Sequence, residues 1–398
     1  MPAHSNFFKQ TNMIKAFPNA NIINNDPKSH FLWIDILRGL SAFGVVLHHV
    51  RVDLWVGWKA MRDTPSAYSA FDHISSWLSV LTPFLGSAVM LFFLISGFCV
   101  HYPYAQGRAL QLPSYAIRRF LRIYPPYIAA LLLSIGVEFL LHGAYQKPAS
   151  SFLKILQSVF MVQNYGFTAG QIQSNPSLWS LPVEVELYIA YPVFLWVSLR
   201  FGWRVSMLLA SVVSAAALTF SLRSDASSSW YYPSASFAIY WIIWCSGAAL
   251  GAMAARGKIM RWHPLFWPIT AFFLCAAIVF QTRGASQGFQ HLTWAAFYFF
   301  VVLWGLNNTT YLHLPQFLKR LLITLGLMSY SLYLIHFPFF RLCGVIWFET
   351  FGSKPSNFLI PLCFSVICLP IAYAFFKFIE LPSHNYAKAL GRKTPVGH

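Results

Sequence analysis

The chain has 398 residues, of which 57% are hydrophobic, 18% aromatic and only 10% charged, with a mean hydropathy of +0.54. A soluble domain of this length needs far more charge to cover its surface, so the composition excludes one and points to an all-α, polytopic integral membrane protein. The net charge of +17 does not indicate nucleic acid, because the basic residues sit in short loops between apolar runs rather than on one soluble face.

Residues 1–30 are largely polar and lack the charged head, apolar core and cleavage site of a secretory signal peptide. Ten apolar runs follow, at 31–50, 83–104, 124–142, 178–199, 205–222, 233–254, 266–282, 293–308, 322–341 and 358–380, giving a bundle of about ten transmembrane helices. The six cysteines all lie inside these runs with no CxxC pair, which fits small buried hydrophobes better than disulfides or metal ligands. No metal site and no bound cofactor is expected.

Ionisable groups inside spans are expensive and therefore functional candidates. The first span, LWIDILRGLSAFGVVLHHV, carries Asp35, Arg38, His48 and His49. Arg38 and His49 are close to three helical turns apart, on one face and roughly 16 Å along the axis, whereas His48 points about 100° away. A snorkelling arginine and an interfacial histidine pair are the plainer reading. The second span ends LFFLISGFCVHYPY, where Ser96 and Gly97 permit close helix contact or backbone approach to a ligand. The loop 105–123 contains Arg108, Arg118, Arg119 and Arg122 and no acid. The last three precede a proline-marked helix start and suit bidentate phosphate binding, unless they only fix topology.

The stretch 151–163 is short and interrupted by Lys154 and Gln157, which predicts a re-entrant or interfacial helix. The fourth span opens SLWSLPVEVELYIAYP, with Glu184 and Glu186 at its start. Two residues apart, they cannot share a face, so at most one can point at His49. A carboxylate there would hold the tautomer of the imidazole; the plainer reading is an acid at a helix N-terminus. The loop 255–265 and the tail after 380 are again basic and acid-free, whereas 51–82 balances Arg51, Lys59 and Arg62 against Asp53, Asp63 and Asp72. Both termini are thus expected in the cytoplasm, which ten spans satisfy.

Together these segments resemble the acyltransferase-3 family of membrane O-acyltransferases over nearly the whole chain. IDILRGLSAFGVVLHHV is similar to its opening helix, in which Arg, ten residues and then His recur, and that register selects His49. LFFLISGF, RRFLRIYPPY, MVQN, NPSLWSLPVEVELYIAYP, SYSLYLIHFP and FIELP resemble further family segments in the family's order. Met90 stands where many members carry an acid, and Pro182 and Val185 replace the usual Ser and acid. The family's C-terminal esterase-like domain, present in some members, has no room after residue 382.

The resemblance implies a 31–382 transmembrane acyltransferase domain between a cytoplasmic 1–30 segment and a cytoplasmic 383–398 tail, in a bacterial inner membrane. It implies acyl-CoA, acetyl-CoA first among candidates, as co-substrate, and a carbohydrate or lipid-linked glycan as acceptor, with membrane lipid around the bundle. Arg118, Arg119, Arg122, Ser96 and Gly97 would bind the donor, with Arg38 beside them. His49 would be the general base, oriented by Glu184, and Trp179, Tyr188, Gln163 and Asn164 would line the acceptor side. The competing class is a transporter of an anionic or glycan substrate using Arg38, His49 and Glu184 as a relay, but the paired half-repeats usual in transporters are not found. A lipid-modifying membrane acyltransferase is a weaker rival: His336 is its only late histidine candidate, and the residue reads more readily as structural.

Overall fold

The computed structural model describes residues 28–165, 170–223, 236–308 and 314–393. The polar segment 1–27, the start of the sixth predicted span at 233–235 and the end of the tail lie outside the described residues, as do the side chains of Arg392 and Lys393.

Fifteen α-helices and no strand are found among the described residues. They are α1 (Lys28–Leu54), α2 (Gly57–Asp63), α3 (Ala70–Ser76), α4 (Ala88–Ala105), α5 (Leu112–Tyr145), α6 (Phe152–Val159), α7 (Ser180–Phe201), α8 (Trp203–Arg223), α9 (Phe237–Ala255), α10 (Phe266–Thr282), α11 (Gln287–Asn307), α12 (Gln316–Leu327), α13 (Ser329–Phe351), α14 (Leu359–Phe375) and α15 (Leu381–Lys393). The described residues of all ten predicted spans are almost wholly helical, the form that satisfies every backbone group inside hydrocarbon. Eight described helical stretches are long and apolar enough to cross a membrane, and Phe266–Thr282 is a shorter apolar helix. The polar α1 is the remaining one; its charges are spent inside the bundle.

Two helix pairs build the frame. Helices α4 and α9 cross at backbone contact: a Cβ on Gly97 would lie 1.9 Å from the Trp244 carbonyl oxygen, and one on Gly247 would lie 1.8 Å from that of Leu94. Without side chains at these points the helices approach closely, the usual basis of packing where lipid gives no hydrophobic drive. Helices α1 and α13 run parallel, since Arg38 meets Ser329, His49 meets His336 and Asp53 meets Arg341 in ascending order on both.

Two expectations change. The predicted ninth span, 322–341, divides at Met328 into the amphipathic α12 and the membrane helix α13, so the span sits further along the chain. Lys319 and Arg320 keep α12 from crossing. Helix α6 realises the predicted short helix, with Ser151 capping it through the Lys154 N–H. Cys275 and Cys363 are exposed on the outside of the bundle rather than buried.

The segment before α7 goes deeper than its hydropathy suggests. Ile172, Ser174, Asn175, Ser177 and Leu178 are all buried although their backbone is not α-helical. Pro338 in α13 has no N–H to give the Leu334 carbonyl, and Asn175 Nδ2 donates to that carbonyl instead at 2.9 Å. Tyr333 OH completes the docking by donating to the Ser177 carbonyl at 2.6 Å. Non-helical backbone at membrane depth is tolerated only where protein supplies such partners.

Candidate active site

Arg38, Arg119, Arg122, Asp35 and Glu184 line one cavity of about 360 Å³, with Ser96, Tyr188, Ser329 and Tyr333. It extends from the beginning of α1 toward the middle of the bundle. Arg38 donates to Ser329 Oγ at 3.3 Å and pairs with Asp35 at 3.6 Å. The Arg119 guanidinium stands over the rings of Tyr115 and Tyr188, 5.5 and 5.1 Å from their centroids. Stacking holds that planar fork beside the cavity, where donors not engaged by Tyr115 can meet a phosphate or carboxylate. Ser96 Oγ and Tyr188 OH lie 3.1 and 2.5 Å from Glu184 Oε1.

Beyond the cavity, one turn along α13 from Tyr333, lies the fully buried His336. Its Nε2 is 2.9 Å from His49 Nδ1, and its Nδ1 is 3.1 Å from the Leu332 carbonyl oxygen. Those two contacts fix the protons. A carbonyl can only accept, so His336 Nδ1 carries the hydrogen. A neutral ring then has a lone pair on Nε2, which accepts from His49 Nδ1–H. The remaining nitrogen of His49, Nε2, bears the free lone pair. Charging either ring would bury a cation with no carboxylate bonded to it, so the neutral pair is the favoured state. Phe337 packs on the His49 ring at 5.0 Å.

Past the imidazoles a second cavity, about 380 Å³, opens at the far end of α1 and α13. Asp53, Glu138, Lys147, Gln173, Ser174, Arg341 and Lys354 supply its polar wall. Gly344 makes room for it: a Cβ there would fall 2.7 Å from that of Asp53.

The expected site residues divide accordingly. Arg38, Arg119, Arg122, Ser96, Glu184 and Tyr188 share the first cavity, so Tyr188 is on the side assigned to the donor, not the acceptor. Arg118 is turned to Ser114 Oγ at 2.6 Å and does not line it. Gly97 is spent on the α4–α9 crossing. The structure does not bring Glu184 to His49: the carboxylate is bonded to Ser96 and Tyr188, and His49 Nδ1 to His336. His48 points elsewhere, its Nδ1 3.0 Å from the Thr82 carbonyl oxygen. Gln163 and Asn164 are buried and tie the loop before α7 to its own backbone, through Leu178 and Trp179. Trp179 stacks on His291 at 6.1 Å. Sequence reasoning read His336 as structural and did not single out Asp53 or Arg341 as site residues. The signal was there for His336, an ionisable group in an apolar run, and for Asp53, one turn beyond His49.

The sequence model of the acyltransferase-3 family, described as an acyltransferase domain, matches residues 31–377. The chain belongs to the acyltransferase-3 family. This acyltransferase is 27% identical over 345 residues to Nodulation protein 10 of Rhizobium leguminosarum bv. viciae, covering 79% of this chain and 85% of that one. It is 23% identical over 372 residues to the peptidoglycan O-acetyltransferase OatA of Listeria monocytogenes serovar 1/2a, covering 88% of this chain and 55% of OatA. The acyltransferase therefore spans about half the length of that second relative. No solved structure gives a significant match to it. It is a membrane O-acyltransferase.

Proposed function

We propose that this acyltransferase moves an acyl group, acetyl first among candidates, from acyl-CoA to a hydroxyl of a cell-surface glycan or its lipid-linked precursor. The observation that carries the reading is the Leu332–His336–His49 hydrogen-bond chain, which leaves a lone pair on His49 Nε2 between two polar cavities. The name of the peptidoglycan O-acetyltransferase relative supports the glycan acceptor and the acetyl group. Uncompensated arginines in 105–123 support a cytoplasmic location for the first cavity and for both termini, in a bacterial inner membrane.

In this reading Arg38, Arg119 and Arg122 hold the CoA phosphates by charge-assisted hydrogen bonds. His49 Nε2 takes the proton from the sugar hydroxyl as its oxygen attacks the thioester carbonyl. The C–S bond breaks, the new ester forms, and the thiolate of CoA receives the proton from the imidazolium. His336, by accepting from Nδ1–H, stabilises the charge that develops on His49 and keeps its ring turned for the transfer.

The test is acyl-CoA-dependent CoA release by the purified protein in detergent, given glycan. Losing a general base lowers rate roughly 10²–10⁴-fold. His49→Ala should fall by that much while remaining folded, and His48→Ala should keep a substantial fraction. An active His49→Ala variant overturns the mechanism.

A further inference from the structure

One residue in the wall of the second cavity, Asp53, has a polar atom that the fold leaves without a partner. Asp53 is buried, its side chain 8% exposed, and Oδ1 accepts from Arg341 at 2.7 Å. Its other oxygen, Oδ2, is buried with no hydrogen bond in the protein. None of the neighbouring donors reaches Oδ2. Lys354 Nζ donates to the Val52 carbonyl at 2.6 Å, Lys147 pairs with Glu349 at 2.8 Å, and the second Arg341 nitrogen donates to the Gln173 carbonyl at 3.2 Å. Glu138, the other acid in the wall, is by contrast saturated by Ser150 and Ser174. An unpaired buried carboxylate oxygen is costly and uncommon, and it calls for a donor from outside the protein.

Position says which donor. Asp53 lies one helical turn past His49 on α1, nearly on the same face and roughly 6 Å further along the axis. Arg341 lies a similar distance past His336 on α13. A molecule hydrogen-bonded to Asp53 therefore sits about one helical turn from His49 along α1. The cavity, about 380 Å³, falls in the size range of small-molecule sites.

We propose that the Asp53 cavity is the acceptor site, and that Asp53 Oδ2, held by Arg341, accepts a hydrogen bond from one hydroxyl of the acceptor sugar while a nearby hydroxyl of that sugar faces His49. The ligand class is a pyranose bearing free neighbouring hydroxyls. Arg341 acts through Asp53 as a positioning residue. The inference rests on the acyl-transfer reading, and it moves the acceptor contacts from Trp179, Tyr188, Gln163 and Asn164 to the other end of the imidazole pair.

Steady-state transfer from acetyl-CoA to soluble oligosaccharides tests it, using a panel with neutral hexose, N-acetylhexosamine and uronate rings. Asp53→Asn keeps the size of the side chain but turns one oxygen into an NH2. It should raise KM for the best acceptor about tenfold or more, with KM for acetyl-CoA little changed. Val345→Phe fills the same cavity without touching the ion pair and should raise acceptor KM likewise; it carries the test if Asp53→Asn does not fold. Normal acceptor KM in a folded variant, with only thermal stability lowered, makes Asp53 a structural ion pair and overturns the proposal. If the wild-type protein transfers to no member of the panel, the glycan reading itself falls, and this site with it.

Discussion

Replacing His336 by phenylalanine separates the imidazole relay from mere packing. Phe is similar in volume, so the fully buried site stays filled, but it offers no acceptor to His49 Nδ1–H, 2.9 Å away in the native protein. An orphaned buried donor costs roughly 1–3 kcal/mol. The His49 ring escapes that cost by moving its proton to Nε2 or by rotating, and either change withdraws the lone pair on which the proposed transfer depends. With about 1.4 kcal/mol per factor of ten, kcat should fall roughly 5- to 150-fold while KM for donor and acceptor changes little. His336→Gln, whose amide oxygen can accept from Nδ1–H, should recover part of the loss. The assay is CoA release read by a thiol-reactive chromophore, with thermal unfolding of each detergent-solubilised variant alongside. Wild-type kcat in a folded His336→Phe protein would falsify the relay. A loss of kcat equal in Phe and Gln variants would reduce His336 to packing.

In the arginine cavity, Arg119→Ala and Arg122→Ala should each raise KM for acyl-CoA about tenfold or more, as befits a lost charge-assisted contact, whereas Arg118→Ala, already turned to Ser114, should stay near wild type; equal effects of all three would contradict the geometry. Asn175→Leu leaves the Leu334 carbonyl without the donor that Pro338 cannot supply, and a loss of roughly 1–3 kcal/mol should appear as a lowered Tm. Gly247→Val pushes side-chain atoms into the Leu94 backbone and should abolish monodisperse protein on size exclusion; normal elution would mean that α4 and α9 can separate at little cost.

Composition and hydropathy made the helices legible because lipid leaves so few alternatives: a run of about 20 apolar residues has one low-energy form. The face shared by Arg38 and His49 was legible for the same reason, helical periodicity along the continuous α1. Pairing between distant spans was not. Nothing local to Glu184 announces that Ser96, 88 residues away, occupies it, and nothing local to His49 names His336, which lies 287 residues away. Hydropathy also misjudged depth in two places. It ran α12 and α13 together across Met328, and it missed the descent of Asn175 and Ser177, whose polarity is what permits a buried non-helical segment.

The cavities at either end of the imidazole pair also reshape the electrical profile of the bundle. Along α13 the layer between Tyr333 and Arg341 is about 12 Å thick, against a hydrocarbon core of about 30 Å. A transmembrane voltage falls across whatever insulates, so if water enters the two cavities from opposite sides, as the proposed function requires, the field is concentrated where His49 and His336 meet. Moving one charge through 100 mV is worth about 2.3 kcal/mol, and a proton that hops between His49 and either cavity traverses a large part of that drop. Turnover in sealed vesicles should therefore respond to an imposed potential, although the overall transfer from thioester to ester carries no net charge across the membrane.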